Sequence, residues 1–309
     1  MASLLLLVFV AITAFTHTGA KQCTLSSSNN HVMVSCSDLH LTSVPPSVPD
    51  DVTWLDLSRN VISSIRGDTF NLFQRLHVLD LSYNTIKHLD KDTFLHLDKL
   101  EVFNLTHNNL TAAESRVWAR EASGLTQTTG KNKSRGPTGS EPPNKKHNSQ
   151  AAAGGILTSL KSLRVLHLDH NVIESLNADY FIGLSSLKTL TLSHNLLETV
   201  HNDTFQGLTQ LEVLTLDGNK LQSLEAGSFR GLSHLGTLSL SHNQLLYTDV
   251  AIPPGVFAPV GATLTSLSVE GNLDDHYDRC YPEAAFKDLS ALQTLVVDTM
   301  PQPTFSEGM

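Results

Sequence analysis

Apolar residues recur at three fixed offsets along most of this chain, and a fourth offset is almost always asparagine. The frame is plain in LHVLDLSYNTIKHLDKDTF, residues 76–94. With its first leucine as offset 0, equivalent frames start at Val52, Leu76, Leu100, Leu163, Leu187, Leu211, Leu235, Leu264 and Leu292, and five of the eight spacings are 24 residues. Offsets 0, 3 and 5 are apolar in every frame, and offset 8 is Asn60, Asn84, Asn108, Asn171, Asn195, Asn219, Asn243 and Asn272, with Met300 the exception. Neither the 3.6-residue period of a helix nor the two-residue period of a strand accounts for this. A repeat of this length means that each frame is one coil which buries its apolar side only by stacking on its neighbours.

The pattern resembles the leucine-rich repeat, L-x-x-L-x-L-x-x-N-x-L. The expected fold is an α/β leucine-rich-repeat solenoid, a curved horseshoe with a parallel sheet on the concave face. In it the asparagine is structural: a buried amide both donates to and accepts from backbone groups that a tight turn leaves unpaired. A second column, at offset 18, holds Phe70, Phe94, Trp118, Phe181, Phe205 and Phe229, and returns four residues late as Phe257 and Phe286. Aromatics stacked coil on coil make a spine beneath the convex side. Nine coils at a strand spacing of about 4.8 Å extend on the order of 40 Å.

A solenoid needs its ends covered. Before Val52 the chain reads CTLSSSNNHVMVSCSDLHLTSVPPSVP, in which Val32 and Val34 alternate as in a hairpin and Cys23 and Cys36 are placed to close a small loop. Such a bridge contributes about 3 kcal/mol by loop entropy. No comparable cysteine cluster follows the ninth frame, so the C-terminal cap is expected to be missing, and the chain to be a fragment or a truncated gene product.

The step from Leu100 to Leu163 is 63 residues, one frame plus 39. The surplus, about Ala119 to Leu157, is rich in Gly, Pro, Ser, Lys and Asn and nearly free of large apolar side chains, so it lacks the means to order itself. It reads as a flexible surface loop, a loop cut by a protease, or translated intron. The expected organisation is a signal peptide over 1–20, the cysteine cap over 21–51, coils one to three over 52–118, the insertion over 119–157, and coils four to nine over 158–309.

Leu4–Phe15 is a short apolar run followed by Thr18, Gly19 and Ala20 ahead of Lys21, the form of a cleaved secretory signal. No later stretch supplies the roughly 20 consecutive apolar residues of a membrane helix. An oxidising compartment fits the Cys23–Cys36 pairing and leaves Cys280 without a partner. The sequons at Asn104, Asn109, Asn132 and Asn202 fit a secreted glycoprotein.

Side chains alternate faces along a strand, so offsets 1, 2, 4, 6 and 7 look out of the concave side. There stand eight carboxylates (Asp56, Asp80, Glu101, Asp169, Glu212, Asp217, Glu270 and Asp298) against three bases (Arg59, Arg164 and Lys188). Together with a chain net charge of −9, this makes nucleic acid a poor partner for that face. His77, His107, His167, His170, His194 and His242 share it. His107, His170 and His194 fall at offset 7 of successive frames, so they stack about 4.8 Å apart and form a candidate proton sensor. The alternative is a Ser-His-Asn run that simply suits a solvated strand end. No strand-turn-helix nucleophile, Gly-rich phosphate loop or metal-ligand spacing is present, so neither catalysis nor a cofactor is expected.

The cap CSDLHLTSVPPSVPDDVTWLDLSRN, the 24-residue frames and the two longer frames ending YPEAAFKDLSALQTLVVD resemble the N-terminal portion of Toll-like receptor ectodomains. The resemblance implies an innate immune receptor that binds a microbial or protein ligand on its concave or lateral surface and pairs as a homo- or heterodimer. It implies signalling through a membrane helix and a cytoplasmic domain that this sequence lacks, at the cell surface or in an endosome. A soluble secreted leucine-rich-repeat protein, acting as a decoy or as an adhesion or matrix component, is the other class.

Overall fold

The computed structural model describes residues 22–90, 92–111, 156–246, 248–272 and 282–298. The strands, in chain order, are β1 (Thr24–Ser28), β2 (His31–Ser35), β3 (Trp54–Asp56), β4 (Ser64–Ile65), β5 (Val78–Asp80), β6 (His88–Leu89), β7 (Val102–Asn104) and β8 (Val165–His167). Then follow β9 (Thr189–Thr191), β10 (Thr199–Val200), β11 (Val213–Thr215), β12 (Ser223–Leu224), β13 (Thr237–Ser239), β14 (Ser266–Ser268) and β15 (Thr294–Val296). Eleven of them make one sheet, in the order β1-β2-β3-β5-β7-β8-β9-β11-β13-β14-β15. Only the β1–β2 hairpin of the cap is antiparallel; every later pair is parallel and in register, offset for offset.

Each coil therefore contributes three residues, offsets 2 to 4, and the reason it stops there is visible at offset 7. Arg59, Tyr83, His107, His170, His194, Gly218, His242 and Gly271 all have positive φ, between 52° and 72°. A left-handed residue turns the chain out of the strand, and glycine is the residue that takes this conformation without steric cost. The asparagine one position later then ties the turn to both coils. Asn195 is typical: its Nδ2 donates to the Leu168 carbonyl of the coil before and to Leu192 of its own, both at 3.0 Å, and its Oδ1 accepts from the Ile173 N–H at 3.1 Å. The same three bonds recur from Asn84 to Asn272, and Asn60 makes them to the cap through Cys36, Leu39 and Leu41.

The interior is the apolar frame itself, with the leucines at offsets 0, 3 and 5 almost wholly buried through Leu267. Beneath the convex side run Phe70, Phe94, Phe181, Phe205, Phe229 and Phe257, each at most 1% exposed, with centroids 5.7 to 6.1 Å apart at the Phe229–Phe257 and Phe70–Phe94 steps. Convex segments are turns and short 3₁₀ pieces. Among the described residues the single α-helix is α1 (Glu283–Phe286), so the α component of the expected class is reduced to one turn. Cys23 and Cys36 are joined by a disulfide that closes the hairpin cap.

The expected insertion boundary needs correction. Ile156 and Leu157 are core residues, 3% and 0% exposed, so the solenoid resumes before the end of the 119–157 segment. Leu157 stands six residues ahead of Leu163, as Phe94 does ahead of Leu100, and is wholly buried at that position. Trp118 lies outside the described residues. A leucine serves because the site asks for buried apolar volume rather than for a ring. Across this break β7 pairs with β8, and Asn171 bonds the Leu105 carbonyl and the Leu110 N–H at 3.0 Å each, like any neighbouring coil.

Candidate functional site

Because every strand is in register, residues at one offset form continuous lanes across the sheet. At offset 2 the lane begins with Met33 of the cap and runs through Trp54, Val78, Val102 and Val165 before turning to Thr189. Met33 is 42% exposed and the others are half-buried, which leaves a strip of apolar side chains facing outward over five strands. Beside it, at offset 4, lie Asp56 and Asp80. Their carboxylates accept from the Ser58 and Ser82 N–H groups at 2.9 and 2.8 Å, from the Ser35 hydroxyl, and from the Asn104 amide at 3.3 Å. No cation meets either one among the described residues.

Further along, the carboxylates drop to offset 6 and are used internally. Asp169 accepts from the Ser193 N–H and the Thr191 hydroxyl, and Asp217 accepts from the Ser241 N–H and the Ser239 hydroxyl of the next coil. His167 meets Thr191 Oγ1 at 3.0 Å in the same network. Lys188 is paired with Glu212 at 2.6 Å, both about half exposed, an interaction of small energetic weight. Alongside the apolar lane the carboxylates of Asp56 and Asp80 thus have hydrogen-bond donors but no paired cation among the described residues.

The rim beyond the strands carries a ladder of rings. Tyr83 stacks on His107 at 4.2 Å, His107 on His170 at 4.0 Å, and His170 on His194 at 4.3 Å, with planes within 19° of parallel. Arg59 closes one end, its guanidinium carbon 4.5 Å from the Tyr83 ring centre. At the other end His194 leans over Gly218, where a Cβ would lie only 2.5 Å from its Nδ1, and His242 leans in the same way over Gly271. The rings sit closer than the roughly 4.8 Å strand spacing. Burial, then the neighbouring His107 and His194, push the His170 imidazole below its ordinary value, with Asp169 opposing. Tyr83 and Arg59 were not singled out by histidine content; the shared offset, marked by Gly218 and Gly271 as a left-handed position, is the sequence signal that includes them.

His77 is separate from this ladder, its Nδ1 buried with no hydrogen-bond partner among the described residues. Among the sequons, Asn104 is half-buried at the end of β7, with Oδ1 accepting from the Thr106 N–H at 3.0 Å. Asn109 is half-buried and Asn202 exposed, with Asn202 Oδ1 accepting from the Gly227 N–H at 2.6 Å. Asn132 and Cys280 lie outside the described residues. Among the described residues no three His, Cys, Asp or Glu side chains converge as a metal site, and no helix is long and apolar enough to cross a membrane.

Comparison with known proteins agrees with this geometry. The leucine rich repeat family model matches residues 50–110, 150–197, 161–221, 186–245 and 209–273. Biglycan of Xenopus laevis is 47% identical over 47 residues, covering 15% of this chain and 13% of biglycan. Biglycan of Homo sapiens is 49% identical, and decorin of Coturnix japonica 47% identical, over segments of the same length and with the same shares covered. The receptor in the crystal structure of the TLR13-ssRNA13 complex superposes with a TM-score of 0.62 at 24% identity, over 91% of this chain and 34% of that one. This chain thus spans about a third of that receptor chain and matches a small part of the proteoglycans. With the asparagine ladder, the buried leucine frame and the matched repeats in agreement, the chain belongs to the leucine-rich-repeat family, and its solenoid resembles a Toll-like receptor ectodomain.

Proposed function

We propose that this chain is the ligand-recognising region of an extracellular Toll-like receptor, and that it binds a protein-like ligand on the N-terminal half of its concave sheet. The observation that carries the reading is the lane Met33, Trp54, Val78, Val102 and Val165 flanked by Asp56 and Asp80. Half-exposed apolar groups with an aromatic anchor, bordered by carboxylates without a cation, suit a partner that brings its own apolar and basic side chains. A glycan on Asn104, at the end of β7, would border the lane and confine the partner to one side of it.

The soluble alternative draws its support from the biglycan and decorin similarity, and it uses the same surface as an adhesion or decoy module. One experiment separates the two. Residues 22–298 are grafted onto the remaining ectodomain, membrane helix and signalling domain of a Toll-like receptor in reporter cells, with Trp54→Asp as the control. Signalling evoked by a microbial preparation and lost in Trp54→Asp supports the receptor. Silence towards microbial preparations, together with Trp54-dependent binding of the free chain to matrix proteins, establishes the soluble module instead.

A further inference from the structure

The edge of the sheet where the chain enters its strands, opposite the ring ladder, carries an open groove of about 360 Å³ between the third, fourth and fifth coils, lined mostly by exposed residues. Its wall is unlike the rest of this face. Lys161, Arg164 and Lys188 line it, with the hydroxyls of Ser162, Ser185 and Ser186, and Glu101 is the one carboxylate among its lining residues. The repeat explains why they meet: Arg164 and Lys188 are offset 1 of successive coils, Ser162 and Ser186 stand just ahead of each frame, and Lys161 is two residues ahead of Leu163. Lys188 is engaged by Glu212. Lys161 and Arg164 have no carboxylate in ion-pair reach among the described residues, and the three serine hydroxyls have no hydrogen-bond partner among them.

We infer that this groove is a subsite for a tetrahedral oxyanion ester, a sulfate or phosphate monoester carried on a sugar-sized group. A guanidinium offers paired N–H donors to two oxygens of such an anion, an ammonium adds a point charge, and hydroxyls satisfy the remaining lone pairs. The volume is at the lower end of the roughly 300–1,000 Å³ of ligand pockets, room for the ester and one ring. The chain carries a net charge of −9, so a groove lined by three cations and one carboxylate is a local inversion rather than part of a basic surface. Glu101 stands against the anion and sets an upper limit on affinity that the chain could exceed by losing it.

The test uses the secreted full chain with hexose 6-sulfate, hexose 6-phosphate and the unmodified hexose as probes, read by amide NMR shifts and titration calorimetry. Expected are saturable shifts at Ser162, Ser185, Ser186 and Gln210, which also lines the groove, with at least one ester and none with the plain hexose. Lys161→Gln with Arg164→Gln should weaken binding tenfold or more, and Glu101→Gln should tighten it about threefold. An unfolded variant cannot mimic that gain. The two esters are told apart by pH: affinity for the phosphate rises between pH 5.5 and 7.5 as its second proton leaves, whereas sulfate is indifferent. Esters that bind no better than the hexose, or equally well to the double variant, or shifts scattered over the surface, overturn the proposal. Trp54→Asp leaves this binding unchanged, so its outcome is independent of the concave-lane reading.

Discussion

His107 and His170 stack face to face, with ring centres 4.0 Å apart and planes 7° from parallel, although 63 residues separate them in sequence. Nothing in the pairing distinguishes them from His170 and His194, which are one ordinary coil apart. The long connection leaves after Thr111 and the core resumes at Ile156, so the solenoid closes as if the intervening residues were five rather than forty-four.

Replacing residues 112–155 with the five-residue connection of the preceding coil, residues 88–92, is therefore expected to keep the fold. By loop entropy alone, shortening the closed loop adds about 2 kcal/mol of stability. Circular dichroism with thermal unfolding checks it; a large fall in Tm would mean that the segment packs on the solenoid.

The ring ladder makes stability depend on pH in one direction. His170 has its folded-state value held below the ordinary histidine value of 6.5 by burial and by its two neighbours. As the pH falls below that value the unfolded chain takes up a proton that the folded chain resists, so stability is lost on acidification and is flat above neutrality. Tm measured from pH 7.5 to 5 should fall, and His170→Asn, which tolerates the left-handed backbone, should shrink the slope. A slope unchanged in His170→Asn would locate the titration elsewhere.

Asn195→Leu should be among the most damaging single substitutions at a non-apolar site. It strips the partner from the Ile173 N–H and one of two asparagine donors from each of the Leu168 and Leu192 carbonyls, which keep Asn171 and Asn219. With one buried orphan costing about 1–3 kcal/mol and two carbonyls losing a donor, the loss is about 2–3 kcal/mol. Urea unfolding measures it, and a loss below about 1 kcal/mol would show that water replaces the amide.

Gly218→Ala is expected to cost about 1 kcal/mol through its left-handed backbone. The contact with the His194 ring is relieved by rotating that side chain, so His194→Ala in the same chain should not restore the loss. A full rescue by His194→Ala in a double-mutant cycle would assign the cost to the ring contact instead.

Much of the molecule was legible before any coordinates. The leucine frame and Asn column demanded a stack of coils, because a residue that must satisfy backbone groups above and below has meaning only if another coil lies there. The ring stack was partly visible as three histidines at one offset. Tyr83 and Arg59 escaped notice because they share with those histidines a backbone conformation rather than a chemistry, and conformation is not written in side-chain identity.

The sequence by itself determined the repeat, the parallel sheet, the buried asparagine ladder and the cap, all of which follow from local spacing repeated many times. Tertiary structure alone decided that Leu157 is buried in the core, that Met33 of the cap opens the apolar lane, and that Lys161, Arg164 and Lys188 line one groove. Those facts depend on which coil lies against which across a break of 63 residues, and on the cap entering the sheet in register. Such adjacency is set by stacking contacts between distant residues, which no local period encodes.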